Sequence, residues 1–148
     1  MKKFRFPLER ARLWRRTLWE QEEMRLERLL GDLNNLRRLR VQLAERLAQA
    51  AHRLAASPEL TTDDLLELRH IADFGRVEDR RLAERARRAE AEIERQRAAV
   101  REARRRFELL DKLREKQFQH WEHEFSRETE VHIGEMAIAR WKRSDAGP

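Results

Sequence analysis

The stretch that decides the fold runs from Leu82 to Leu110 and reads LAERARRAEAEIERQRAAVREARRRFELL. Its mostly apolar residues recur at alternating steps of four and three, a spacing that places them in one stripe along an underwound helix. The stripe consists of Leu82, Ala86, Ala89, Ile93, Gln96, Val100, Ala103, Phe107 and Leu110. This heptad spacing predicts a helix that pairs with another helix.

A matching stripe lies earlier in the chain and supplies the partner. It consists of Leu29, Leu33, Leu36, Arg40, Leu43, Leu47, Ala50 and Leu54. Its leucines would face the small alanines of the second stripe, and large side chains opposite small ones fill a seam without voids. The connection between the stripes is short and contains Pro and Gly, which favours an antiparallel hairpin. A parallel homodimer of long helices is the alternative.

Helix-breaking residues set the expected boundaries of the elements. Ser57-Pro58 ends a first helix over about residues 8–56, and Gly75, as a C-cap or a kink, follows a short helix that Thr61 to Asp64 can cap. A second helix follows over about residues 76–143, and the connecting tip covers residues 57–75. The fold class is therefore all-α, a long two-stranded antiparallel coiled-coil hairpin with a short helix at the tip. We expect one coiled-coil domain over residues 1–148.

The second helix is the longer one, so we expect part of it to extend past its partner. Beyond Arg114 its stripe continues as Phe118, Trp121 and Phe125, one residue late for a strict heptad. Such an offset is typical of a stutter in a coiled coil.

Composition agrees with long helices. Of 148 residues 42% are charged and 40% hydrophobic, and only four are Gly and three Pro. This mixture excludes sheet-rich folds and supplies a narrow seam better than a thick core. The chain has no Cys, which excludes disulfides and thiolate metal sites and fits a reducing compartment.

Catalytic and metal-binding patterns are weak. The glycines are isolated, so no phosphate-binding loop is expected. His120, His123 and Glu124 are the best metal candidates, but Arg127 occupies the position where a zinc-protease helix carries its second His. We therefore expect exposed histidines, no catalytic residues, no metal, no cofactor and no enzymatic activity.

Charge is unevenly distributed along the second predicted helix. The stretch from Arg76 to Arg106 contains twelve Arg and seven acidic residues. The stretch from Phe107 to Glu135 contains four basic and eight acidic residues. Such runs are typical of solvated helix faces, and the alternative is a positive surface for an acidic partner. No signal peptide or membrane-spanning run is expected.

Apolar and aromatic residues exceed what a two-stranded seam needs. They are Phe4, Phe6, Leu8, Leu13, Trp14, Leu18 and Trp19 near the start, and Phe118, Trp121, Phe125, Val131, Ile133, Ile138 and Trp141 near the end. An antiparallel hairpin would bring the two groups together. They then either clamp that end of the hairpin or form a binding surface.

Two blocks of the sequence resemble the family of the flagellar export protein FliJ and its type III secretion stalk relatives. FRFPLERARLWRRTLWEQEE at residues 4–23 is similar to the family's start, and LDKLREKQFQHWEHEFSRETEVHIGEMAIARW at residues 110–141 is similar to its second block. The chain differs from the family at Gly134, where an acidic residue is usual.

This resemblance implies a cytoplasmic component of the type III protein export apparatus in bacterial flagellum biogenesis and motility, with peripheral membrane association through its partners only. Such a stalk binds a hexameric export ATPase and regulates it, contacts the cytoplasmic domain of the membrane export gate, and assists export chaperones. Positions matching the family's ATPase-contacting pattern are Phe4, Phe6, Leu8, Arg15, Glu20, Leu113, Arg114, Glu115, Trp121, Glu128, Glu135 and Ala137. The alternatives are a generic coiled-coil scaffold or adaptor and, less favoured by the residues, an electrostatic nucleic-acid binder.

Overall fold

The computed structural model describes residues 3–145 and is an all-α hairpin. Two long helices, α1 (Glu9–Ala55) and α2 (Thr62–Asp145), pack against each other, and the described range contains no strand. Within residues 20–101, Glu22 of α1 contacts Gln96 of α2, and Arg40, later in α1, contacts Asp79, earlier in α2, so the helices are antiparallel. The predicted all-α helical hairpin is confirmed, whereas the short separate helix expected at its tip is not found in the described range.

Both ends of α1 follow from local chemistry. Pro7 precedes the helix, and the Glu9 amide donates to the Phe6 carbonyl at 3.2 Å, which closes a turn at the helix start. At the other end the Ser57 amide donates to the Leu54 carbonyl at 3.3 Å, just before Pro58. Since Pro lacks an amide hydrogen, the helix cannot continue through it without losing a bond.

A capping box begins α2. The Asp64 amide donates to Thr61 Oγ1 at 3.2 Å, and Asp64 Oδ2 accepts from the Thr61 amide at 2.9 Å and from Thr61 Oγ1 at 2.8 Å. These bonds stabilise the ionised carboxylate and lower the pKa of Asp64. Thr61 is thus the N-cap among the candidates that the sequence offered.

The predicted break at Gly75 was wrong. The short helix and the second helix form one continuous α2, and Gly75 lies inside it with a negative φ. Gly75 is buried, and a Cβ atom there would overlap the Leu47 side chain of α1. Gly75 therefore lets the two helices approach closely, whereas its place between two predicted helices had indicated a C-cap or a kink.

The described chain divides into two compact units. One unit contains the part up to Trp19 and the part from Glu102 onward, and the other is Glu20–Arg101. A two-helix seam joins each residue only to those directly opposite, so it forms a series of local layers rather than one central core.

The core of the Glu20–Arg101 unit consists of residues from both predicted stripes. Leu33, Leu36, Ala86 and Ile93 are buried, and Ile93 is only 3% exposed. Around them pack Leu26, Leu29, Leu30, Leu82 and Ala89, all partly buried. Leucines thus face alanines across the seam, as the spacing predicted.

Polar members of the stripes are paired across the same seam. Arg40 donates two hydrogen bonds to the Asp79 carboxylate at 2.8 and 3.0 Å. The bidentate pair lowers the pKa of Asp79, and it explains how a guanidinium occupies a heptad position. Gln96 donates to the Glu22 carbonyl at 3.0 Å, so the second polar stripe position is also satisfied.

Within the other unit, burial along α2 confirms the shift of the stripe. Leu110 and Asp111 are both half-buried, and Arg114, Phe118 and Trp121 follow at steps of three and four. Two adjacent residues share the inward direction where the stripe shifts, as expected for a stutter. Phe125 was expected to continue the stripe but is exposed.

Charge at the seam should destabilise the hairpin. Leu36 is 8% exposed, so Leu36→Asp would bury a carboxylate without a partner and cost about 3 kcal/mol of unfolding free energy. Leu39→Asp is the matched control because Leu39 is 46% exposed. Urea unfolding followed by circular dichroism measures both, and equal midpoints for the two variants would contradict the register of the seam.

Glycines in the two helices should respond differently to alanine. Apart from the neighbouring residues and the helix's own backbone, no atom lies within 4 Å of a Cβ built at Gly31, so Gly31→Ala should add about 0.5–1 kcal/mol of stability through helix propensity. Gly75→Ala gains the same propensity, but Leu47 must move, so we expect a smaller gain or a loss. An equal rise in melting temperature for both variants would show that α1 and α2 are not in close contact at Gly75.

Candidate protein-binding site

Four aromatic rings, here called the aromatic cluster, lie together in the unit that contains the part up to Trp19: Phe4, Phe118, Trp121 and Phe125. The Phe4 ring meets the Phe118 ring edge-on with centroids 5.3 Å apart, and its centroid lies 6.0 Å from that of Trp121. Trp121 stacks on Phe118 at 5.8 Å and on Phe125 at 5.3 Å. The rings of α2 are spaced at three and four residues, so they follow one helix face.

Phe4 lies in the non-helical segment before α1 and contacts this face of α2. Phe6, two residues later, is 7% exposed and anchors that segment. The Arg114 guanidinium lies 6.0 Å from the centroid of the Phe4 ring, at the outer range of a cation–π contact. Thus the predicted residues Phe4, Phe6, Arg114 and Trp121 belong to one region.

Ion pairs join α1 and α2 beside the aromatic cluster. Arg12 Nε donates to Asp111 Oδ1 at 2.8 Å, and Arg12 Nη1 donates to Glu9 Oε1 at 2.9 Å. Arg114 Nε lies 3.4 Å from Glu9 Oε2. The bond to Asp111 is the main cause that raises the pKa of Arg12, against the opposing effect of burial. These charges fix the register of the helices next to the rings.

A second aromatic contact lies further along the same unit. Trp19 stacks on Phe107 at 5.5 Å between centroids, with the Arg104 guanidinium 5.8 Å from the Trp19 ring and the Arg12 guanidinium 5.6 Å from the Phe107 ring. Trp19 Nε1 is buried without a hydrogen bond in the described structure. This contact packs the two helices together.

The aromatic cluster borders a hollow of the protein surface. Phe4 and Trp121 contribute apolar walls, and Gln117, His120 and Glu124 contribute polar ones. Apolar rings surrounded by polar groups form the pattern of a protein-binding patch, in which a central anchor is excluded from water by its rim. Leu8 and Leu113 add exposed apolar side chains to the same unit.

The other predicted contact residues are distributed as follows. Arg15 is half-buried, Glu115 is exposed and accepts a hydrogen bond from Gln119 Nε2 at 3.2 Å, and Glu20 belongs to the Glu20–Arg101 unit. Glu128, Glu135 and Ala137 are exposed on the last part of α2. These residues and the aromatic cluster therefore do not form one continuous packed group.

The predicted extension of the second helix past its partner is observed. Every residue from Glu122 to Asp145 is exposed, including large apolar ones such as Val131, Ile138 and Trp141. The apolar residues near the start of the chain and those near its end, which the hairpin was expected to bring together, thus contact each other only in part. Phe4 contacts its counterparts, whereas Trp14 and Trp141 remain exposed.

Many arginines of the Arg76–Arg106 stretch have acidic partners on their own helix. Arg81 pairs with Glu78, Arg97 pairs with Glu94, and Arg106 pairs with Glu102, at 2.9, 2.6 and 3.0 Å. Glu84 pairs with Arg87 and Arg88, and this lowers the pKa of Glu84. Such pairs are typical of a solvated helix face and reduce the positive field that a polyanion would meet.

The candidate metal residues do not converge. His120 Nε2 lies 3.4 Å from Glu124 Oε1, and the part of the chain that the structure describes holds no group of three residues suited to a metal ion. The described helices also contain no stretch long and apolar enough to cross a membrane.

Sequence reasoning missed the polar contacts that support the aromatic cluster. Glu9 and Arg12 are three residues apart and could have been paired from the sequence, but Asp111 joins them only through the register of the hairpin.

No protein-family model, curated protein or solved structure matches the chain.

Proposed function

We propose that this chain is a stalk-like component of the flagellar type III protein export apparatus. It binds the hexameric export ATPase through the aromatic cluster and the neighbouring exposed residues of α1 and α2. The proposal rests on the resemblance of residues 4–23 and 110–141 to the FliJ family and on the paired-helix fold. Contacts with the cytoplasmic domain of the export gate and with export chaperones, in the cytoplasm beside the membrane, belong to the same proposal.

The observation that carries the proposal is the aromatic cluster. Phe4 and Trp121 come from the two blocks that resemble the family, and their ring centroids lie 6.0 Å apart. Aromatic side chains are enriched among the residues that contribute most to protein–protein binding, because they bury a large area with little loss of conformational freedom. A surface of this kind suits a protein partner better than a small substrate.

A helical hairpin inside a ring would act without catalysis of its own. If the aromatic cluster binds one conformation of the ATPase ring more tightly than another, binding shifts the ring's equilibrium by that difference in affinity. A shift of about 1.4 kcal/mol would change the ratio of the two conformations tenfold. Regulation of ATP hydrolysis then needs only a ligand that binds the two conformations with different affinity.

A coiled-coil scaffold is the second candidate, and the exposed apolar residues of α2 would serve it as well. The paired arginines between Arg76 and Arg106 weigh against a nucleic-acid binder. A scaffold would not need the aromatic cluster to recognise an ATPase, so binding to the ATPase separates the two candidates.

The double variant Phe4→Ala/Trp121→Ala should lose affinity for the purified export ATPase of the same organism. Loss of two aromatic contacts at a binding centre would weaken binding about 10- to 100-fold. Leu113→Ala, which removes an exposed side chain, should weaken it less and leave the helix pair intact. Titration calorimetry measures affinity, a coupled assay measures ATP hydrolysis, and circular dichroism verifies helicity.

The matched control is Leu65→Ala/Leu66→Ala. Both leucines are exposed near the start of α2, in the unit that lacks the aromatic cluster. Their replacement should therefore leave ATPase binding unchanged. If the control variant loses affinity while the aromatic variant retains it, the ATPase contact lies in the other unit and the proposed contact is wrong. Absence of binding by the unaltered chain would favour the scaffold.

A further inference from the structure

The last part of α2 carries an apolar stripe that the hairpin does not use. Val131, Ile138 and Trp141 are 62%, 57% and 66% exposed. At about 100° per helical residue, these three and Gly134 fall within roughly 80° of one another and lie nearly opposite the inward face of Phe118 and Trp121. The seam with α1 therefore does not account for them.

The spacing of this stripe is that of a coiled-coil seam. Val131, Gly134, Ile138 and Trp141 follow steps of three, four and three, which correspond to a and d positions of successive heptads. Apart from the neighbouring residues and the helix's own backbone, no atom lies within 4 Å of a Cβ built at Gly134, so its surface is open. A single exposed helix of this length is only marginally stable in water, and a partner helix on the stripe would stabilise it.

We propose that this stripe pairs with the same stripe of a second copy of the chain, in antiparallel orientation. About a two-fold axis near Met136, Ile138 faces the partner's Gly134, and Trp141 faces the partner's Val131. Each layer thus combines a larger with a smaller side chain, which fills a seam without voids. A parallel pair would instead place Gly134 opposite Gly134 and Trp141 opposite Trp141.

Charge favours the same orientation. Residues 122–135 contain five Glu against one Arg, whereas residues 136–145 contain two Arg and one Lys against one Asp. Antiparallel pairing sets each acidic half beside a basic half, and parallel pairing would set acid beside acid. At the flanks of the stripe, Glu128 approaches the partner's Lys142 twice by symmetry.

One flanking contact opposes the pairing. Glu135 lies near the axis in the flanking position that meets its own copy, so two carboxylates approach each other there. The stripe covers only two heptads, well below a standard interface, so we expect a weak dimer with a dissociation constant on the order of 100 μM. Salt should weaken it further, because the flanking pairs are exposed.

This inference does not rest on the proposed export function. Glu128, Glu135 and Ala137 flank the stripe and also match the family's ATPase-contacting pattern. If both hold, self-pairing and ATPase binding compete for one helix segment.

Sedimentation velocity of the full chain, from about 5 to about 500 μM in low salt, tests the pairing. The unaltered chain should shift from monomer to dimer over this range. Trp141→Ala should remain monomeric, and Trp14→Ala, which removes an exposed Trp from α1, should dimerise normally. A chain that is monomeric throughout overturns the proposal, and so does a dimer that Trp141→Ala leaves intact.

Charge exchange tests the orientation. Glu128→Lys and Lys142→Glu should each weaken the dimer about fivefold, and the double variant should restore it. Glu135→Gln should strengthen it. Failure of the double variant to recover would overturn the antiparallel register, provided that circular dichroism shows unchanged helicity in each variant.

Discussion

The contact of Ile93 and Ala86 with the leucines of α1 is the interaction on which the Glu20–Arg101 unit depends. Long single helices with this charge content gain little from their own hydrogen bonds in water, so removal of apolar area from water must stabilise the pair. The buried set is small: Leu33, Leu36, Ala86 and Ile93. Polar heptad positions are compatible with it because Arg40 is held by Asp79.

A narrow seam has a functional consequence. It covers one stripe of each helix and leaves the remaining faces to solvent, so any apolar group off the stripe is available to a partner. In the unit with the aromatic cluster, Phe4 and Trp121 lie at the margin of the seam, and α2 beyond Trp121 is exposed throughout. The proposed binding surfaces are therefore the places where apolar residues exceed what the seam can bury.

Much of the fold could be predicted because heptad spacing, capping residues and Pro act locally. The stripes through Leu36 and Ile93, the Thr61 cap and the end of α1 before Pro58 all followed from such signals. Gly75 did not, because a Gly that ends a helix and a Gly that admits a neighbouring side chain look identical in sequence. Only the register, which places Leu47 against Gly75, separates the two.

The candidate site could be predicted in part. The excess of aromatic residues was visible in the sequence, but which rings touch depends on where the segment before α1 lies along α2. For the same reason the pair of Arg12 with Asp111 could not be found, since 99 residues separate them. The placement of Glu20 in the other unit likewise depends on contacts rather than on spacing.

Amide hydrogen exchange of the full chain with and without the purified export ATPase tests the central claim most directly, because it locates the contact along the chain. The account predicts slower exchange on binding in residues 4–8 and 113–121, with unchanged exchange in residues 59–74. Protection confined to residues 59–74, or no protection at ATPase concentrations that saturate binding, would contradict it.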